Sequence, residues 1–148
     1  MTTILIVDDE APIRELLTKW LNDSTYTTLQ AVDAESAVEM MAAGNGVDVV
    51  FCDIEMPGKG GLWLVGELRD RFPKTAIILA TGVDSVPPAI SLRGGVVQYL
   101  LKPFTRQGVL TAVADAVRWQ KQGQSDSQGS ADEVGEWLAE PQNEKPQS

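Results

Sequence analysis

Five short apolar runs, separated by amphipathic stretches, set the rhythm of this chain. Thr3–Val7, Tyr26–Ala31, residues 47–52, Ala76–Ala80 and Val96–Leu101 are rich in β-branched and large aliphatic residues, the composition of strands. The run at 47–52 is almost continuous and the run at 76–80 entirely apolar, which suits strands covered on both faces. Tyr26–Ala31 is more polar and is expected nearer an edge. After Pro12, which suits a first helical turn, Ile13, Leu16, Leu17, Trp20 and Leu21 recur at helical spacing. A second helix is predicted over Ala34–Ala43, with Val38 and either Met40 or Met41 inward and Gly44-Asn45-Gly46 as its stop. A third spans Leu62–Phe72, with Leu64, Val65, Leu68 and Phe72 on one stripe and Pro73 ending it. Pro87-Pro88 opens a short fourth helix that Gly94-Gly95 ends. Thr105 caps a last helix that turns Val109, Val113, Ala116 and Val117 to the sheet.

Strand and helix thus alternate five times, which implies right-handed βαβ units and a parallel sheet. About 120 residues of (βα)5 fit an α/β, doubly wound, flavodoxin-like sheet of order 2-1-3-4-5. Its switch point lies between strands 1 and 3, and ligands of such sheets bind at the carboxyl edge. Asp8 and Asp9 end strand 1, Asp53 ends strand 3, Thr81 ends strand 4 and Lys102 ends strand 5. Polar groups scattered over 95 positions of sequence are expected to meet on one edge.

Composition narrows the chemistry. The 148 residues allow one domain with a real core and an appendage. A net charge of −9 argues against nucleic-acid binding by this chain alone. No apolar run approaches the roughly 20 residues of a membrane span, and the N-terminus has no basic region of a signal peptide, so no membrane is expected. One cysteine, Cys52, excludes an internal disulfide and fits a reducing, cytoplasmic setting, where it reads as a small buried hydrophobe. The absence of histidine removes the commonest general base and metal ligand.

Three carboxylates in one pocket repel each other, and without a cation at least one is held protonated to higher pH. Oxygen ligands alone suit Mg²⁺, which keeps several waters and leaves room for a phosphoryl oxygen. An aspartate can act as a nucleophile and form an acyl phosphate, with metal and a lysine ammonium neutralising the transferred group. A threonine hydroxyl can hydrogen-bond that group. Each residue alone has a plainer reading. Asp8-Asp9 could cap the first helix, Thr81 a strand end, and Tyr99 could be a core aromatic, while Trp20, Trp63 and Trp119 read as helix-packing residues.

Together, however, Asp8-Asp9, the motif Asp53-x-x-Met56-Pro57-x-x-x-Gly61, Thr81-Gly82 and Tyr99-x-x-Lys102-Pro103-Phe104 resemble a bacterial two-component response-regulator receiver domain over about residues 3–120. The resemblance implies that Asp53 is the phosphoacceptor for a sensor histidine kinase or phosphotransfer protein. It implies Mg²⁺ held by Asp8, Asp9, Asp53 and the backbone carbonyl of Glu55. Lys102 would contact the phosphoryl group, Thr81 would move toward it, and Tyr99 would be the aromatic switch. The Lys102–Pro103 bond is expected to be cis. The readout surface would be the fourth helix, fifth strand and fifth helix, contacting an output protein that the sequence does not name, with a phosphorylation-dependent homodimer also compatible. Gly94-Gly95 and Gln98 depart from the family pattern, and Gly58 to Gly61 make the loop after Asp53 glycine-rich and, by expectation, mobile. A stoichiometric acceptor of this kind is not a turnover enzyme.

The resemblance places a receiver domain at 1–121 and an acidic tail at 122–148, which holds six of the 21 acidic residues and one of the 12 basic ones. Residues 122–130 read as a flexible linker, and Ser130-x-x-Glu133 with Val134, Trp137 and Leu138 suggests a short helix near 131–140. A docking helix and a disordered tail or linker both fit. Three functional readings are open: a self-sufficient phosphorylation switch, the receiver half of a longer regulator with a DNA-binding or enzymatic output, and a degenerate receiver acting by protein binding alone. An aspartyl-phosphate phosphatase fits poorly, because Asp53-Ile54-Glu55-Met56-Pro57 lacks the second Asp and the Thr of Asp-x-Asp-x-Thr.

Overall fold

Side chains alternate across the central strands, and both faces are covered, which is why the runs read as continuous apolar sequence. The computed structural model describes residues 2–22, 25–82 and 96–125. Its strands are β1 (Thr3–Val7), β2 (Thr27–Ala31), β3 (Val49–Asp53), β4 (Ala76–Thr81) and β5 (Val96–Leu101). The helices of the described residues are α1 (Ala11–Asn22), α2 (Ala34–Ala42), α3 (Gly61–Arg71) and α4 (Arg106–Ser125). The strands form one parallel sheet of order β2-β1-β3-β4-β5, the order expected from the alternation.

Leu5 and Val7 of β1, Val50 and Cys52 of β3, and Ile77 and Leu79 of β4 point to one face, where α2 and α3 contribute Ala34, Ala37, Val38, Met41, Leu64, Val65 and Leu68. Their neighbours Ile4, Ile6, Val49, Phe51, Ala76, Ile78 and Ala80 point to the other, against Leu17 and Leu21 of α1 and Val109, Ala112, Val113 and Ala116 of α4. Phe51 is the largest fully buried side chain, and its ring meets Phe104 edge to face at 5.7 Å. β2 is a half-exposed edge strand. Trp20, Trp63 and Trp119 pack at the margins of the two cores.

Local chemistry sets the ends of these elements. Asp33 caps α2, its carboxylate accepting the Ser36 amide at 2.8 Å, and Gly44 then takes φ of +85° beyond the last turn. Thr105 caps α4, its Oγ1 accepting the Gly108 amide at 2.9 Å. Three expectations shift. Leu16 counts in the helical stripe of α1 but is 39% exposed, because the sheet covers only the narrower face carrying Leu17 and Leu21. Phe72 is the residue after α3 rather than part of it. The last helix continues to Ser125, past the boundary expected after residue 121, since Gln and Lys sustain a helix well. The helix expected to open at Pro87-Pro88 and the tail helix expected near 131–140 lie outside the described residues. Among the described residues, no helix is long and apolar enough to cross a membrane.

Phe51→Ala removes the largest fully buried side chain of the layer joining β3 to α4 and should cost about 3–5 kcal/mol of unfolding free energy. Urea unfolding followed by circular dichroism would check this, with Phe51→Leu expected to lose clearly less.

Candidate functional site

Register brings the acids together. β1 and β3 are neighbours, with Val7 opposite Cys52, so the next residues, Asp8 and Asp53, emerge side by side at the carboxyl edge. Carboxylate oxygens of Asp8, Asp9 and Asp53 lie within 4.8 Å of one another. Asp8 and Asp53 are both 3% exposed, whereas Asp9 is exposed. β4 ends at Thr81, fully buried beside them, and β5 ends one residue before Lys102. The Lys102 amide donates to the Thr81 carbonyl at 2.7 Å, which sends the lysine side chain off the end of the sheet. Its Nζ lies 3.4 Å from Asp8 Oδ2 and 3.4 Å from Asp53 Oδ2. The following Lys102–Pro103 bond is cis, as the resemblance implies.

The main chain holds the carboxylates in place. Asp8 Oδ1 accepts the Glu10 amide at 2.9 Å, and Asp53 Oδ1 accepts the Glu55 amide at 3.3 Å. Glu55 therefore sits on the turn that curls over Asp53, and its side chain reaches beside Gly82 across the mouth of the site. Tyr99 is half-buried on β5, packed against the core on the α2/α3 face. The loop after Asp53 has more ties than its glycines suggest. Lys59 pairs with Glu35 at 3.3 Å and lies over the Trp63 ring at 4.6 Å, and the Gly61 amide donates to the Ile54 carbonyl at 3.0 Å.

Gly61 allows the loop to close this tightly. A Cβ there would lie 2.6 Å from the Asp53 carbonyl oxygen and 2.7 Å from Ile54 Cα, both backbone atoms with nowhere to go. Arg14 also reaches the site, with Gln30 behind it, and no local pattern marks either. The Arg14 Nη1 donates to the Asp8 carbonyl at 2.8 Å, and its Nε donates to Gln30 Oε1 at 3.1 Å. Only the packing of α1 over β1 and β2 brings these positions together.

Burial raises the Asp53 carboxyl from 3.8 to about 6, with the Asp8 charge adding to the rise and the Lys102 ammonium opposing it. Burial pulls the Lys102 ammonium down, but Asp53 and Asp8 outweigh it and leave its pKa raised. Burial also pushes the Cys52 thiol up, and its Sγ lies 3.2 Å from the Asp53 carbonyl oxygen, as befits a small buried hydrophobe. Because the fold binds the Asp53 proton more tightly than the unfolded chain does, stability falls as pH rises from about 4 through about 6. Asp53→Asn removes this penalty. In EDTA the variant should gain on the order of 2–3 kcal/mol over wild type above pH 7, shrinking toward zero near pH 4. Urea midpoints across this range test it, and a difference independent of pH would refute the assignment. Gly61→Ala should destabilise by about 2 kcal/mol or more, from the displaced backbone at Asp53, by the same measurement.

Comparison with known proteins agrees with this geometry. Residues 4–114 match the model of the response regulator receiver domain. The transcriptional regulatory protein AruR of Pseudomonas aeruginosa is 35% identical over 144 residues, covering 91% of this chain and 58% of that protein. The Regulator of RpoS of Escherichia coli K12 is 38% identical over 101 residues, covering 68% of this chain and 30% of that protein. The chain thus spans less than two thirds of the length of these curated relatives. A receiver domain crystal structure from Clostridium thermocellum superposes with a TM-score of 0.76 at 28% identity, covering 82% of this chain and 98% of that one. The response regulator TrrA of Thermotoga maritima, solved in complex with Mg(2+)-BeF, superposes with a TM-score of 0.71 at 35% identity, covering 78% of this chain and 99% of that one. With three carboxylates and a lysine at the carboxyl edge of a 2-1-3-4-5 sheet, and a family match over three quarters of its length, this chain belongs to the response regulator receiver domain family.

Proposed function

We propose that this chain is a phosphorylation-operated switch in which Asp53 accepts a phosphoryl group from a sensor histidine kinase or a phosphotransfer protein. The observation that carries this reading is the Lys102 ammonium, 3.4 Å from both Asp8 and Asp53 within a cluster of three carboxylates. The donor set is oxygen alone: Asp8, Asp9, Asp53 and, on the adjoining turn, the Glu55 carbonyl. That set suits a hard cation and fits Mg²⁺. Bound there, Mg²⁺ supplies charge neutralisation for the phosphoryl oxygens.

The protein's own groups do the rest. Without a cation the Asp53 carboxyl is raised to about 6 and is still mostly ionised near neutral pH, and a bound cation would favour the ionised nucleophile further. Its oxygen attacks phosphorus in line, the phosphorus–nitrogen bond of the donor breaks, and the electron pair leaves with the imidazole. Lys102 then trades its contact with the Asp53 carboxylate for a phosphoryl oxygen, and the Thr81 hydroxyl hydrogen-bonds another. Tyr99 turns inward as Thr81 moves. The added charge of roughly −1.5 to −2 favours whichever arrangement satisfies the new oxygens, so the effect is a population shift.

The readout face includes β5 and α4, and its partner is an output protein or a second phosphorylated copy. The acceptor works stoichiometrically and in the cytoplasm, and the receiver is followed by an acidic tail. A second reading, the receiver portion of a longer regulator, is favoured by the greater length of its relatives.

Incubation with acetyl phosphate and Mg²⁺ should add one phosphoryl mass to the wild type, with no gain in EDTA and none for Asp53→Asn, by intact-mass spectrometry. Absence of any gain, together with no change in tryptophan fluorescence on adding beryllofluoride, would overturn the switch in favour of a degenerate receiver.

A further inference from the structure

Every main-chain and side-chain oxygen of Asp8 is engaged. Its carboxylate is held by the Glu10 amide and Lys102, and its carbonyl accepts Arg14 Nη1 at 2.8 Å. Its own amide donates to the Ala31 carbonyl on β2 at 3.2 Å. The Arg14 guanidinium does not float, because its Nε donates to Gln30 Oε1 at 3.1 Å and Gln30 Nε2 donates to Thr18 Oγ1 at 3.1 Å. A chain of side chains therefore runs from α1 through the edge strand to the peptide joining Asp8 and Asp9.

That peptide is planar and rigid, so fixing its carbonyl fixes the direction in which the chain leaves toward Asp9. Asp9 is the exposed member of the acidic cluster, and the position of its Cα, from which its side chain starts, is set by that peptide. Mg²⁺ demands near-ideal octahedral geometry at about 2.0–2.1 Å, so a small rotation of this peptide misplaces a ligand. We infer that Arg14, braced by Gln30, is a positioning residue for the acidic pair, setting the aim of Asp8 and Asp9 at the divalent cation through the Asp8 carbonyl. The inference rests on the metal site proposed above.

Charge and position predict opposite outcomes, which makes the role testable. Arg14 is a cation beside a cation site, so by Coulomb repulsion alone its removal would tighten metal binding. As a positioning residue, its removal must weaken it. Isothermal calorimetry with Mg²⁺ at fixed pH should show Arg14→Gln binding about 10-fold more weakly than wild type, within the range for supports of metal ligands. Arg14→Lys keeps the charge and one donor, and should recover part of the loss. Gln30→Ala changes no charge and should weaken binding in the same direction but less, because its bond to Arg14 is exposed. The double variant should fall short of the sum of the two losses, since both act through one path. Unfolding in EDTA provides the control, because a purely structural role lowers the urea midpoint and leaves the Mg²⁺ affinity of the folded variant unchanged. Unchanged or tighter binding by Arg14→Gln, with wild type binding Mg²⁺ and Asp53→Asn impaired, overturns this inference alone. Failure of wild type to bind Mg²⁺ overturns the metal site and this inference together.

Discussion

The arrangement depends on one lysine ammonium held between two buried carboxylates. Asp8 and Asp53 stand at adjacent strand ends, almost fully removed from water, where like charges repel and each loses hydration. Lys102 comes from the far end of the sheet and lies within 3.4 Å of both. It spans β4 and β3 because the sheet order puts the Thr81 strand between its own strand and the acids, and four methylenes make the reach. The pairing is incomplete, however: one ammonium serves two buried carboxylates with a third beside them, and Asp53 stays raised to about 6 despite it. The site is thus left short of positive charge, with oxygen ligands facing one another.

This incompleteness links stability to function. The hydrophobic layers on both faces of the sheet give the fold enough margin to keep a charged, desolvated pocket at its edge. Much of the supporting detail is backbone. The Glu10 and Glu55 amides hold one oxygen of each buried acid, and Gly61 lets the following helix start against the Asp53 carbonyl where a side chain would collide. The pocket is thus a backbone-held frame around carboxylates whose charge is not balanced.

How much of this was legible in the sequence follows from the range of the interactions involved. Strand and helix periodicity is local, so the five apolar runs, the order 2-1-3-4-5 and the convergence of Asp8, Asp9, Asp53, Thr81 and Lys102 could all be read from residue patterns and the topology rules for parallel sheets. Caps were similarly local, as Thr105 shows. Ends set by packing or by continued helix propensity were less legible: Leu16 fits the helical stripe yet faces water, and α4 runs on to Ser125.

What only the tertiary structure decided are relations between residues distant in sequence, for which no periodicity exists. The bond from Arg14 to the Asp8 carbonyl and its bracing by Gln30 need α1 to lie over both β1 and β2 at a particular rotation. The burial that lifts Asp53 to about 6 depends on how completely neighbouring chain covers it, a property of the assembled edge. The sequence by itself determined which groups gather at the carboxyl edge, because side-chain alternation and strand order are enough for that. The distances, the desolvation and the second layer of support came from packing, because they are sums over contacts that exist only once the layers have closed on the sheet.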